Sequence, residues 1–212
     1  MMKRKNKLII FILIFNIFLF SHLKAQISNK IIVKVGGEII TSLDVQNNIL
    51  TDLILNKLEI NQENIDSIKG FSVKNLINKK IKRIEIKKFN IKEYNKKDLQ
   101  DYLGKIAQTL DTNISGLKNI FKDNKIDFDT FSYNYETELL WNTLVFRIYS
   151  KQTNINMVEV NNEVDKLIGN LKEVEIEDLR KKISNQKKEE KLKLFSRSHF
   201  SNLENSIPVV FK

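Results

Sequence analysis

Between Phe128 and Ser150 the chain carries a segment that, drawn as a helix, is apolar on nearly every side. It begins with Phe128, Phe131 and Tyr135 and then places Leu139, Leu140, Trp141, Leu144, Val145, Phe146, Ile148 and Tyr149 within eleven positions. Such a helix has no polar face to turn to water, so several neighbours must cover it, or one face is left for a ligand. The expected fold is therefore mainly α, a multi-helix body assembled around this segment. No covalent staple helps it, because the 212 residues include no Cys. That absence removes disulfides, thiolate zinc sites and Cys nucleophiles. With His22 and His199 as the only imidazoles, a multi-histidine metal site is excluded too. The six glycines match neither a dinucleotide fingerprint nor a phosphate loop, so no metal, no cofactor and no catalytic residue is expected.

The neighbours of that helix are legible as apolar stripes at helical spacing. Thr41 or Ser42 caps a first helix through Val45, Ile49, Leu50, Leu53 and Leu58, with Asp44 in the first turn where a carboxylate suits the helix dipole. After a polar stretch at Asn61 to Ser67, a second follows through Val73, Leu76, Ile77, Ile81 and Ile84 to about Asn90. Asn95 caps a third through Leu99, Tyr102, Leu103, Ile106 and Leu110, and a short fourth spans Ile114 to Phe121. Beyond the apolar helix, one runs from Val158 to about Asn170 and a long, charged one from about Ile176 to Asn205.

Two places read as strand. Ile31 to Val35 and Glu38 to Thr41 flank Gly36-Gly37, the loop whose positive φ values a tight hairpin needs. Ile207 to Phe211 is a terminal strand with the sole Pro at its start, where a missing N–H is tolerated. A lone strand must pair with something, so the hairpin and the terminal strand are expected to form one small sheet.

Lys3, Arg4, Lys5 and Lys7 precede an apolar run from Leu8 to Phe20, interrupted only by Asn16. Thirteen positions are too few for the ~20 apolar residues of a membrane-spanning helix, so residues 1–25 read as a secretory signal peptide cleaved between Ala25 and Gln26. The alternative is an uncleaved anchor in the inner membrane. Cleavage would lower the net charge from +10 to +5. Within the remainder, residues 74–97 carry ten basic and two acidic side chains. Lys79, Lys80, Arg83 and Lys87 are the candidates there for weak contact with acidic polypeptides or an anionic membrane surface. A basic protein that is exported is not expected to bind nucleic acid.

The stretch from Ile32 to Val45 resembles the opening of the SurA family of periplasmic chaperones: a strand, a tight turn, the Ile40-Thr41 pair and a helix led by Asp44. The resemblance continues through Phe128 to Arg147 and Val158 to Val164, and returns at Arg197 to Phe211 as the family's C-terminal helix and strand. It covers about residues 31–170 and 188–211. It implies a helical domain over 26–170, with 171–212 folding back onto it and the hairpin and terminal strand sharing a sheet. It further implies a periplasmic, ATP-independent chaperone for unfolded outer-membrane or secreted proteins. One feature departs from the family: only residues 171–187 lie where SurA proteins usually carry parvulin-type prolyl isomerase domains. Seventeen residues cannot fold as such a domain, and parvulin sites resemble one another in paired histidines, of which cleavage would leave only His199. No enzyme activity is expected; a prolyl isomerase relative is the disfavoured alternative. The client-binding candidates are Trp141, Leu144, Val145, Ile148 and Tyr149, which with the underside of the C-terminal helix would line a groove.

Overall fold

The computed structural model describes residues 29–169 and 172–212; the segment expected to be a signal peptide, with its Ala25–Gln26 junction, lies outside them. The described chain is mainly α-helical, with one three-stranded sheet of order β2-β1-β3. Strands β1 (Ile31–Val35) and β2 (Glu38–Thr41) are joined by Gly36-Gly37, and Gly36 takes φ +54°, a region L side chains avoid. Strand β3 (Val209–Phe211) runs antiparallel to β1, with Val33 opposite Phe211 and Val35 opposite Val209. The Gly36 N–H donates to the Pro208 carbonyl at 2.9 Å, and the Lys212 N–H to that of Ile32 at 2.9 Å. The two ends of the described chain therefore meet in one sheet, as the sequence predicts. Pro208 stands just before the strand, where its carbonyl is used and its missing N–H is not needed.

Helix α1 (Ser42–Leu55) starts at a reciprocal cap. The Asp44 N–H donates to Thr41 Oγ1 at 3.2 Å, and the Thr41 N–H to Asp44 Oδ2 at 2.8 Å. It ends before Leu58, which is exposed. Helix α2 (Gln62–Lys88) begins a full eleven residues before the Val73 at which its stripe becomes evident. Asn61 caps it through Asn64, so the polar stretch at 62–67 is helical. Helices α3 (Lys96–Thr109), α4 (Ile114–Asp123) and α5 (Phe128–Tyr149) follow, capped by Asn95, Asn113 and Asp127. Helix α6 (Met157–Leu167) is capped by Asn156, and α7 (Glu173–Ser206) closes the helical part.

Three cores hold the body. In the first, Val33, Val35 and Ile40 of the sheet meet Ile49 and Leu53 of α1 and Leu76 and Ile81 of α2. In the second, Leu99, Leu103, Leu117 and Phe121 surround Phe131 and Leu139 from the first half of α5. In the third, Trp141, Leu144 and Val145 from its second half meet Ile86, Ile91 and the last turns of α7. Helix α5 thus resolves its excess of apolar surface by facing different partners along its length. Phe200 and Leu203 pack against both the first and the third core, fastening the end of α7 to the sheet. The other half of α7 pairs with α6, over a small cluster of Val160, Val164 and Ile183.

Candidate functional site

The C-terminal half of α7 lies along α5 through an aromatic seam. The Trp141 indole N–H donates to Ser196 Oγ at 2.8 Å, and the Tyr149 ring stacks on Phe195 with centroids 4.9 Å apart and planes within 6°. Phe200 meets Trp141 edge-on at 6.0 Å. The Tyr149 hydroxyl hydrogen-bonds His199 Nδ1 at 2.8 Å, and His199 Nε2 lies 3.2 Å from Glu85 Oε1 of α2. His199 is therefore a knot that ties three helices together.

This seam places the five apolar candidates. Trp141, Leu144 and Val145 are buried, and Ile148 and Tyr149 are half-buried. They hold α7 in place, and the surface that Trp141 and Leu144 would offer a partner is already taken by it. A helix apolar all round does not by itself show which of its faces another part of the chain covers.

Beside the seam a face does remain open. A groove of about 600 Å³ runs between α5 and α7, with Leu139, Val145, Phe146 and Leu192 as its apolar lining. Phe146, near the C-terminal end of α5, is 61% exposed while its neighbours Leu144 and Val145 are buried. Polar residues rim the groove, among them Asp98 and Glu189 against Lys193 and Arg197, so its charges balance. Sequence reading passed over Phe146 as a candidate because nothing in the run from Leu139 to Tyr149 distinguishes it from its buried neighbours.

The basic candidates do not share one solvated face. Lys87 is exposed and pairs with Glu38, and Lys80 lies 3.6 Å from the same carboxylate, so both bind α2 to the hairpin. The hydrogen bond from Lys87, reinforced by the Lys87 and Lys80 charges against the opposing effect of burial, holds the Glu38 carboxyl below its usual range. Lys79 and Arg83 turn inward. Lys79 Nζ donates to Asn48 Oδ1 at 3.4 Å, while Arg83 donates from Nε to Thr137 Oγ1 at 3.0 Å and from a terminal nitrogen to Asn134 Oδ1 at 2.8 Å. The Arg83 guanidinium also sits 4.1 Å from the centre of the Tyr133 ring. The lysine-rich helix packs against the hairpin, α1 and α5, so Lys79, Lys80 and Arg83 are half-buried while Lys87 stays exposed.

Among the described residues no cluster of three or more His, Asp or Glu could hold a metal ion, and no helix is long and apolar enough to cross a membrane. Glu159 and Glu163 are both exposed, and Glu163 pairs with Lys187 at 2.8 Å.

No family model matches the chain, and no curated protein matches it in sequence. Several solved chains are similar in chain course. One of them comes from a study of two structurally related SurA-like chaperones, a virulence factor and a periplasmic protein, of the human pathogen Campylobacter jejuni. The alignment covers 87% of this chain and 99% of that one, at 14% sequence identity and a TM-score of 0.44.

Proposed function

We propose that the protein is a periplasmic, ATP-independent chaperone that holds unfolded outer-membrane or secreted polypeptides without acting on them as an enzyme. The observation that carries this reading is the open groove between α5 and α7, with Phe146 exposed at its floor and no net charge on its rim. An aromatic or aliphatic client segment laid there would bury a few hundred Å² of apolar surface. At ~25 cal/mol per Å² that amounts to several kcal/mol before the cost of ordering the segment, which cancels much of it. Binding of this kind is weak, tolerant of sequence and readily reversed, as a holding chaperone requires. The signal-like N-terminus and the SurA resemblance of the hairpin and the C-terminal helix support the same reading.

The test is suppression of aggregation. The exported protein is mixed with an unfolded outer-membrane protein diluted out of denaturant, and light scattering is followed. Reduced scattering at several-fold molar excess is expected; unchanged scattering would remove the assignment. Mass spectrometry of the exported chain should find Gln26 at its N-terminus. An X-Pro peptide isomerisation assay should show no acceleration, and acceleration lost on a mutation in this chain would restore the enzyme reading.

A further inference from the structure

The small sheet is open along one edge. Strand β3 pairs with β1 on one side and has no strand on the other among the described residues. The bonds that join the two strands fix which way each main-chain group points. The Lys212 N–H donates to the Ile32 carbonyl and the Gly36 N–H to that of Pro208, so in an antiparallel ladder Lys34 and Val210 exchange the bonds between them. The alternate residues of β3 face away. The N–H and C=O of Val209 and Phe211 therefore point outward, in the direction of a further strand, and they have no hydrogen-bond partner among the described residues.

Such an edge is a template for another chain, and folded proteins usually blunt it with charge, proline or a cover. Here the proline falls on the wrong side for that. The Pro208 carbonyl accepts from Gly36, so its nitrogen faces β1 as well, and the missing N–H leaves the outer edge intact. At the opposite edge of the sheet, the Thr41 N–H of β2 is already taken by Asp44. The side chains of β3 are also uncovered. Phe211 is 66% exposed although it stands opposite the fully buried Val33. Val210 is exposed on the other face, where it continues the row of Ile39 and Lys34 across the three strands.

Two observations choose between a second copy of this chain and a different polypeptide. The first is charge. Residues 29–37 and 207–212 contribute Lys30, Lys34 and Lys212 and no acid, and none of these lysines has an ion pair among the described residues. Two copies joined edge to edge would set like charges near one another, a cost that a neutral or acidic strand does not meet. The second is area. Three residues paired on each side bury on the order of a few hundred Å², against the roughly 1,200–2,000 Å² of a stable protein–protein complex. An edge of this length suits a ligand that comes and goes. In an added strand, the residues opposite Val209 and Phe211 set their side chains on the face of Phe211, where an aromatic or aliphatic group gains a cross-strand contact.

We propose that the outer edge of β3 binds an extended polypeptide segment as a further strand, through main-chain hydrogen bonds to Val209 and Phe211. The segment is apolar at alternate positions, which lie beside Phe211, and neutral or acidic between them. That such segments come from unfolded clients rests on the chaperone reading; the bonding pattern of the edge does not. Main-chain bonds recognise an extended backbone and leave sequence to the side-chain contacts. The edge thereby adds a contact that selects backbone conformation to the apolar groove between α5 and α7.

Amide-resolved NMR on the protein at low salt tests this with a capped heptapeptide, Glu-Phe-Thr-Phe-Thr-Phe-Glu. Four forms are compared: unmodified, N-methylated at its Phe residues, N-methylated at its Thr residues, and with Lys in place of Glu. In the free protein the Val209 and Phe211 amides should exchange rapidly with solvent while that of Val210 is protected. The unmodified peptide should shift the Val209 and Phe211 resonances saturably and slow their exchange. Methylation at Phe removes the donors that face the edge and should weaken binding at least about tenfold, the scale of one or two main-chain hydrogen bonds. Methylation at Thr points away from the edge and should leave binding intact, and the Lys form should bind more weakly. Phe211→Pro removes one outward N–H without touching the bonds to β1 and should weaken the unmodified peptide, whereas Phe211→Leu should not; a protected Val210 amide checks the sheet in both. Equal weakening by the two methylations, shifts confined to residues outside β3, or equal or tighter binding of the Lys form would overturn the proposal. So would a dimer that is lost in Phe211→Pro, which would assign the edge to a second copy. Aggregation suppression with no peptide effect at β3 removes the edge site alone, and binding at β3 without suppression removes the chaperone reading alone.

Discussion

The body and the α6–α7 hairpin use the same helix in opposite ways. In the body, the last turns of α7 are fixed by the Trp141–Ser196 hydrogen bond, the Tyr149–Phe195 stack, the His199 knot and finally the pairing of β3 with β1. In the hairpin, the first half of the same 34-residue helix has Val160, Val164 and Ile183 as its entire buried cluster. At 1.5 Å per residue the helix is about 50 Å long, so a firmly held end continues into a lightly held one. Local stability follows the density of buried apolar contacts, so the hairpin should open far more readily than the body. The groove lies where the two regimes meet, its α7 side running from Glu189 to Arg197.

Substitutions can break or sharpen this contrast. The largest effect is expected from Trp141→Ala, which empties the third core and removes the bond to Ser196; about 3–5 kcal/mol should be lost in urea unfolding. Ile183→Ala removes one of three buried side chains in the hairpin, a change worth about 2–5 kcal/mol locally. Because the hairpin has little stability of its own, the loss should appear as fast amide exchange in α6 and the first half of α7, with a much smaller shift of the global urea midpoint. A midpoint shift equal to that of Trp141→Ala would show hairpin and body to be one cooperative unit. Deleting residues 207–212 removes β3 and its bonds to β1, and should lower Tm while leaving exchange in the hairpin unchanged.

The smallest effect concerns pH. Glu38 is held below its ordinary pKa in the folded state, so its contribution is present above the unfolded carboxylate pKa and is lost as pH falls through the lowered folded value. Glu38→Gln should therefore cost about 1 kcal/mol or less at neutral pH, and nothing once the wild-type carboxylate is protonated. Thermal melts of both proteins across the acid range check the sign; a difference that grows on acidification would contradict it.

Elements that depend on local chemistry were open to reading from sequence. Gly36-Gly37, the Thr41/Asp44 cap and the Asn95 cap each carry their own signal, and the run after Pro208 could only be a strand needing a partner. The first turns of α2 escaped because Ile65 and Ile68 are isolated among polar residues and the Asn61 cap resembles a loop asparagine. The functional surfaces escaped for a different reason. Whether Trp141 or Phe146 is covered, and whether Lys79 faces water or the interior, depends on elements 50 or more residues away in the case of Trp141 and Ser196, and 31 in the case of Lys79 and Asn48. Periodicity describes one helix; it does not say which neighbour arrives on which side.

The central claim is that unfolded polypeptide lies in the groove over Phe146. Trp141 is the sole tryptophan, and its indole donates to Ser196 on the groove wall, so its emission reports occupancy. Titrating an unfolded, tryptophan-free polypeptide into the protein should give a saturable change in Trp141 fluorescence, and Phe146→Asp should abolish it without altering the circular dichroism spectrum. No change with the wild-type protein, or the same change with Phe146→Asp, would contradict the account.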